Sequence, residues 1–224
     1  MAELYLVRHG QASFGTENYD RLSSRGEQQG VWLGEYFARQ DIVFDRVICG
    51  TLHRHVQTVD AILRGMGRKD VRYDLHPGLN EYDFDALFAA AAGDYPEIAR
   101  LAAGSMKAHF RALRQVLQLW SEDRLRGPIP ETWAQFQQRV VDARAAIRQG
   151  GGQRVLAVSS GGPIAVTMQQ VLAAPAASAI ALNLQIRNSA ISQYFFNADV
   201  FHLASFNGIP HLEDPERQPF RTYG

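Results

Sequence analysis

Cysteine is nearly absent: Cys49 is the single one among 224 residues. One thiol forms no internal disulfide framework and no cysteine-based zinc site, so the fold must rest on its core, and a reducing compartment is consistent with that. Lysine is almost as scarce, with only Lys69 and Lys107, so nearly all positive charge is arginine. Excess charge of either sign is missing too, because Lys+Arg and Asp+Glu both stand at 23. No global field draws such a chain to nucleic acid or to an anionic membrane, and any attraction for an anion must be local. No apolar run reaches the roughly 18 residues of a membrane span. The start, Met1-Ala2-Glu3, lacks the basic and apolar regions of a signal peptide, so a cytoplasmic protein is expected. Also missing are a G-x-x-x-x-G-K-[ST] loop and a G-x-G-x-x-G turn after the first strand, which removes P-loop and dinucleotide enzymes.

What is there is ordinary globular composition, 46% hydrophobic and 21% charged, in a length that suits one domain over 1–224. Leu4-Tyr5-Leu6-Val7 reads as a buried strand that runs straight into Arg8, His9 and Gly10. The polar stretch from Gln11 to Arg21 reads as a loop, and a helix follows over about 25–39, its glycines letting it lie against the sheet. Arg46-Val47-Ile48-Cys49 is a second strand, leading through Gly50-Thr51 into a helix with the stripe Leu52, Val56, Val59 and Leu63. Val71-Arg72-Tyr73 is a third strand candidate. From about 86 to 150 the periodicity is helical, with Met106, Phe110, Leu113, Leu117 and Trp120 forming one stripe and Trp133, Phe136, Val140, Ala143 and Ile147 another. Arg154 to Val158 is an almost wholly apolar fourth strand, suited to the middle of a parallel sheet. A helix is expected to begin at Ile164 with Pro163 in its first turn. Two further strands run over about 189–196 and 200–206, and the residues after Leu212 read as a loose polar tail.

Candidate chemistry collects at strand ends, where ligands of open α/β sheets bind. Arg8 offers a permanent charge and a fork of donors. Beside it, His9 is a nucleophile when neutral. Arg54 sits in the first turn of a helix, whose unpaired N–H groups and dipole attract anions. Ser159-Ser160-Gly161-Gly162-Pro163 makes a second strand-turn-helix anion site. Glu81, Asp83 and Asp85 are competing carboxylates that spacing alone does not rank. His109 reads as a partly buried helix residue, and no role is evident for His76 or His202.

Several of these pieces resemble the signatures of the histidine phosphatase (phosphoglycerate-mutase-like) superfamily. They are Arg8-His9-Gly10, the segment Tyr19 to Ser23 with Gly26 and Gln29, Leu52-His53-Arg54-His55, Leu79-Asn80-Glu81, Val158-Ser159-Ser160-Gly161-Gly162, and the closing His211-Leu212. The resemblance covers residues 4 to about 85 and about 153 to 212. It implies an α/β three-layer sandwich, a mostly parallel central sheet flanked by helices, with the segment 86–150 inserted as helices over the active face. It further implies His9 as the nucleophile that becomes a phosphohistidine and Glu81 as general acid. Arg8, Arg54, Ser160 and Gly161 would bind the phosphoryl group, with no metal and no cofactor. The partner would be a small phosphorylated substrate or a phosphoprotein, with no nucleic acid and no membrane, while oligomeric state stays open.

One departure stands out. The superfamily's second histidine is Ser160 here, and the residue after Arg54, usually alanine, is His55. A serine is shorter and uncharged, so a roomier, less positive pocket is expected, and Ser160→His should raise phosphate release. The alternative, that His53 or His55 supplies the imidazole, is disfavoured because neighbouring helix positions diverge by about 100° and Arg54 already points inward. Against a working phosphatase stands a degenerate member that binds a phosphorylated ligand or phosphoprotein and turns over slowly or not at all. A mutase is less expected, for no lysine-rich segment grips a substrate.

Overall fold

The computed structural model describes residues 1–13, 20–68 and 70–223. Of the expected loop over 11–21 and of the segment beginning at Tyr19, residues 14–19 lie outside the described residues. Six strands form one sheet: β1 (Ala2–Arg8), β2 (Arg46–Cys49), β3 (Asp74–Leu75), β4 (Arg154–Ser159), β5 (Ile191–Phe196) and β6 (Phe201–Gly208). Their spatial order is β3-β2-β4-β1-β5-β6. The first four are mutually parallel, and β5 runs antiparallel to both of its neighbours.

The helices are α1 (Ser24–Arg39), α2 (His53–Gly65), α3 (Phe84–Ala92), α4 (Pro96–Ala102), α5 (Met106–Ser121), α6 (Trp133–Gln149), α7 (Gly161–Val171) and α8 (Ala176–Asn183). Alternation along β1 divides the core. Tyr5 and Val7 face Leu33 and Phe37 of α1 and Val59 and Ile62 of α2. Leu4 and Leu6 belong to the opposite cluster, with Leu117 and Trp120 of α5, Phe136 of α6, Ile164 of α7 and Ile180 of α8. The sheet is therefore covered on both faces, as continuous apolar strands require, and the expected α/β three-layer arrangement is what forms.

Several boundaries differ from the sequence reading. The third strand is Asp74–Leu75 rather than Val71–Tyr73, because the register with β2 pairs only Ile48 with Asp74 and Cys49 with Leu75. Helix α7 begins at Gly161, not Ile164, with Ser160 at its N-cap; Pro163 still falls in the first turn, where a missing N–H costs nothing. The glycines of α1 serve helix packing more than sheet packing: a Cβ on Gly34 would lie 2.0 Å from the Ile62 carbonyl oxygen of α2. The buried stripe of α2 runs through His55, Val59 and Ile62, while Val56 is only partly buried. Helix α8 was not legible in its alanine-rich sequence. Among the described residues, no helix is long and apolar enough to cross a membrane.

Candidate active site

A cavity of about 390 Å³ opens at the carboxyl edge of the sheet, and Arg8, His9, Arg54 and Glu81 all line it. His9 follows β1 and is 3% exposed. Its main chain is pinned from both sides: its N–H donates to the Ser159 carbonyl (2.9 Å), and its carbonyl accepts from the Ser189 N–H (3.2 Å) and the Asn188 amide (3.3 Å). Ser189 holds a left-handed backbone, φ 56°, and its hydroxyl meets Nε2 of the buried His211 at 2.8 Å. The closing His211-Leu212 segment thus supports the loop under His9.

The imidazole Nδ1 of His9 lies 2.7 Å from the Gly10 carbonyl oxygen. A carbonyl only accepts, so Nδ1 carries the hydrogen and Nε2 keeps its lone pair. Burial pushes the His9 pKa well below the usual histidine value, and Arg54, Arg8 and His55 push the same way. The ring is therefore neutral at pH 7.

Arg54 is buried and paired with Asp20 (Nη1 to Oδ1, 2.9 Å). The same carboxylate accepts the His53 N–H (2.9 Å) and lies within reach of the Arg54 N–H (3.4 Å). The N-terminus of α2, expected to receive an external anion, is thus already met by the protein's own carboxylate. The start of α7 behaves alike: the Gly162 N–H faces both carboxylate oxygens of Glu81, at 3.1 and 3.2 Å. A Cβ at Gly162 would sit 2.2 Å from Glu81 Oε1, so only glycine lets the carboxyl approach. Burial raises the Glu81 pKa, outweighing the Gly162 N–H, Arg54 and Arg8, which pull it down. Of the three competing carboxylates, Glu81 is the one on the cavity; Asp83 caps α3 and both Asp83 and Asp85 are exposed.

Arg8 reaches the cavity from the other side, its Nη1 donating to the carbonyls of Ile186 and Tyr223, the latter at 2.6 Å. That second contact corrects the expectation of a loose tail. Gln29 donates to the Phe220 carbonyl (2.6 Å), and the Asn188 N–H donates to the Thr222 carbonyl (2.9 Å). The chain end is thus strapped across the sheet edge, where Thr222 and Tyr223 line the cavity. Sequence reasoning missed these residues because the strap is held largely through backbone carbonyls, which every residue has.

Ser160 and Gly161 are not among the residues lining the cavity. Ser160 is fully buried, and its hydroxyl lies 2.7 Å from Nε2 of His55. His55 is likewise buried, with its ring centroid 5.7 Å from that of His9. The space beside Ser160, expected to be roomy, is filled by an imidazole from α2. His55 turns inward as well as Arg54 because it is in phase with Val59 and Ile62, four and seven residues on, and that spacing was the available signal. His53 is exposed. His109 lines the cavity, and His76 caps the short turn at Pro77–Leu79. Gln11, Tyr82, Phe84, Asn183 and Leu184 complete the list of lining side chains that sequence reading did not single out.

The fold and site define a class: a mostly parallel α/β sheet with a buried neutral histidine, two arginines and a raised carboxyl around one opening at its carboxyl edge. The family model of the histidine phosphatase superfamily (branch 1) matches residues 4–208, and the chain belongs to that superfamily. A curated relative, the 2,3-bisphosphoglycerate-dependent phosphoglycerate mutase of Bradyrhizobium diazoefficiens, is 31% identical over 90 residues, a stretch that spans 38% of this chain and 44% of the mutase. Among solved structures, a phosphoserine phosphatase of Entamoeba histolytica in complex with phosphoserine superposes with a TM-score of 0.67 at 19% identity, covering 95% of this chain and all of that one. The alpha-ribazole phosphatase of Shigella flexneri gives a TM-score of 0.63 at 23% identity, over 92% of this chain and 96% of its own. At such identities these likenesses speak for the fold.

Proposed function

We propose that the protein is a phosphomonoester hydrolase working through a phosphohistidine on His9, as one unit in which the helices of 86–150 roof the site. The observation that carries this reading is the state of His9: Nδ1 tied to the Gly10 carbonyl, the ring neutral, and two arginines on the same cavity. The Nε2 lone pair attacks phosphorus, and the bond from phosphorus to the ester oxygen breaks, its electron pair leaving on that oxygen. Glu81, whose raised pKa favours the acid form, gives the oxygen its proton. Water then attacks the phosphohistidine and yields a proton to the Glu81 carboxylate. The phosphorus–nitrogen bond returns its pair to Nε2, and inorganic phosphate leaves. Arg8 and Arg54 meet the charge on the phosphoryl oxygens, the main task in phosphoryl transfer. Ser160 and the α7 start at Gly161 support this group from behind His55 and Glu81. The scheme calls on no metal or cofactor.

The cavity is of a size for a small phosphorylated substrate, and relatives solved with phosphoserine and with 3-phosphoglyceric acid give precedent for that class. The second reading, a binding member without turnover, is favoured by Ser160 alone. Incubation with a radiolabelled phosphomonoester and rapid quenching should trap acid-labile label on the protein, together with released phosphate. Loss of both in His9→Ala is expected. Label retained in that variant would overturn the nucleophile, and phosphate binding without release in the wild type would favour the second reading.

A further inference from the structure

The cavity has two kinds of lining. Around His9 it is charged, as above. Its apolar wall is built by side chains of α3, α5 and the residue after α8: Phe84, Met106, Phe110, Leu113 and Leu184. None of the five is fully buried, and Met106 is 55% exposed. On α5 the stripe continues into Leu117 and Trp120, which are buried in the core, so the helix presents one apolar face that begins on the cavity and ends in the interior. A helix needs only the inner half of such a stripe for packing. Large half-exposed apolar side chains gathered on one opening mark a surface that takes an apolar partner.

Among the described lining residues the only arginines are Arg8 and Arg54, and lysine is absent. Both arginines act on His9, so both belong to the phosphoryl end. Three of the neutral polar side chains make hydrogen bonds within the protein: Gln11 accepts from the Ser23 hydroxyl (3.0 Å), Asn183 donates to the Tyr82 hydroxyl (2.8 Å), and Thr222 donates to Asn188 (2.8 Å). The His109 ring lies 5.4 Å from that of Phe88 and 6.3 Å from that of Phe110.

We propose that the site takes phosphomonoesters of bulky apolar alcohols, arylalkyl or aryl, in preference to phosphorylated hydroxy acids or bisphosphates. This rests on the phosphomonoesterase reading. The phosphoryl group goes to His9 and the organic group lies on the wall of Phe84, Phe110 and Leu113. Burying an aromatic group there raises affinity, whereas a carboxylate placed against the same apolar side chains loses water that they cannot replace.

The test compares esters that all leave as alkoxides, so that leaving-group acidity does not decide: 3-phenylpropyl phosphate, glycerol 3-phosphate and 3-phosphoglycerate. The expected result is a kcat/KM about tenfold or more higher for the phenylpropyl ester, carried mainly by KM. Phe110→Ala and Leu113→Ala should each shrink that ratio at least about threefold. Equal or reversed preference, with turnover still abolished in His9→Ala, overturns the substrate class and leaves the hydrolase reading standing. If no ester is turned over, that reading fails, and calorimetry on the wild type decides the substrate class by itself. Tighter binding of 4-phenylbutylphosphonate than of 3,4-dihydroxybutylphosphonate supports it, and equal or weaker binding overturns it.

Discussion

Position 160 carries a hydroxyl where the resemblance read from the sequence implies an imidazole, and position 55 carries an imidazole where it implies a small side chain. In the folded chain these two departures touch, His55 Nε2 to Ser160 Oγ at 2.7 Å, so they are one exchange of volume between two elements. The other ring nitrogen, Nδ1, is buried and has no hydrogen-bond partner among the described residues. An orphaned buried N–H is the rarer case in folded proteins, which places the proton on Nε2, donating to Ser160. The serine hydrogen is then left to another acceptor. A second imidazole at 160 would have to occupy space that His55 fills, and overpacking of a closed core costs about 1–3 kcal/mol. Ser160→His is therefore expected to lower stability by that order and to leave phosphate release no higher than in the wild type, against the gain that the sequence alone suggests. The double variant His55→Ala with Ser160→His should recover most of the loss. Thermal melts and phosphate-release rates on the three proteins check this, and a Ser160→His protein both as stable as the wild type and faster would refute the exchange.

The elements tell where the sequence was legible. Strands β1, β2 and β4 could be read because each is a short apolar run buried on both faces, and their carboxyl ends placed His9 and the Ser160 turn correctly. Arg54 and Glu81 reach the same cavity as the resemblance implied. Their immediate surroundings were not legible: Asp20 on the α2 amides and Glu81 on the α7 amide are contacts between residues far apart in the chain, with no periodic trace. The wall of α5 was visible as a stripe, yet a stripe does not say which of its residues meet the core and which meet a cavity. Least legible was the strap over 213–223, since main-chain carbonyls do much of its holding. Gln29 is one of the side chains that tie this strap to the rest. Fully buried in α1, it accepts the Gln11 N–H (2.8 Å) and donates to the Phe220 carbonyl (2.6 Å) and the Thr222 hydroxyl (3.0 Å). Gln29→Leu keeps the volume and removes all three bonds, leaving buried polar groups unmet at about 1–3 kcal/mol each. The strap should then loosen and, with it, the Tyr223 carbonyl that holds Arg8. Faster hydrogen exchange at the Asn188 and Arg221 amides and a KM raised several-fold, with a smaller change in kcat, are the expected outcome. Unchanged exchange there would show that the strap stands without Gln29.

Across the whole molecule, electrostatics is set less by net charge, which is zero, than by three histidines buried in neutral form. His9 and His55 are held well below the ordinary value of 6.5, each chiefly by burial and next by Arg54, and His211 is pushed down to about 3 by burial and Arg217. Above pH 6.5 these groups are neutral in both the folded and the unfolded chain and contribute nothing to pH dependence. Below it the unfolded chain takes up three protons that the folded one refuses, so the unfolded state gains on acidification. Each group weakens the fold by up to about 1.4 kcal/mol per pH unit, from 6.5 down to its own depressed pKa. Glu81 acts in the opposite sense. Its raised pKa means that the folded state binds a proton first, so lowering the pH through its folded value gives back a part of the loss, and only over that narrower span. Stability measured by urea unfolding should therefore be flat between about pH 7 and 8 and fall steeply below about 6, sooner than titration of exposed carboxylates would bring about. His211 is the cleanest test, because it is not among the residues lining the active-site cavity and Ser189 is the partner of its Nε2. His211→Gln offers that hydroxyl a neutral amide and titrates nothing. Its acid limb should be shallower than that of the wild type by about one proton between pH 6 and 4, whatever its stability at neutral pH, and an unchanged slope would mean that His211 takes up its proton in the folded protein.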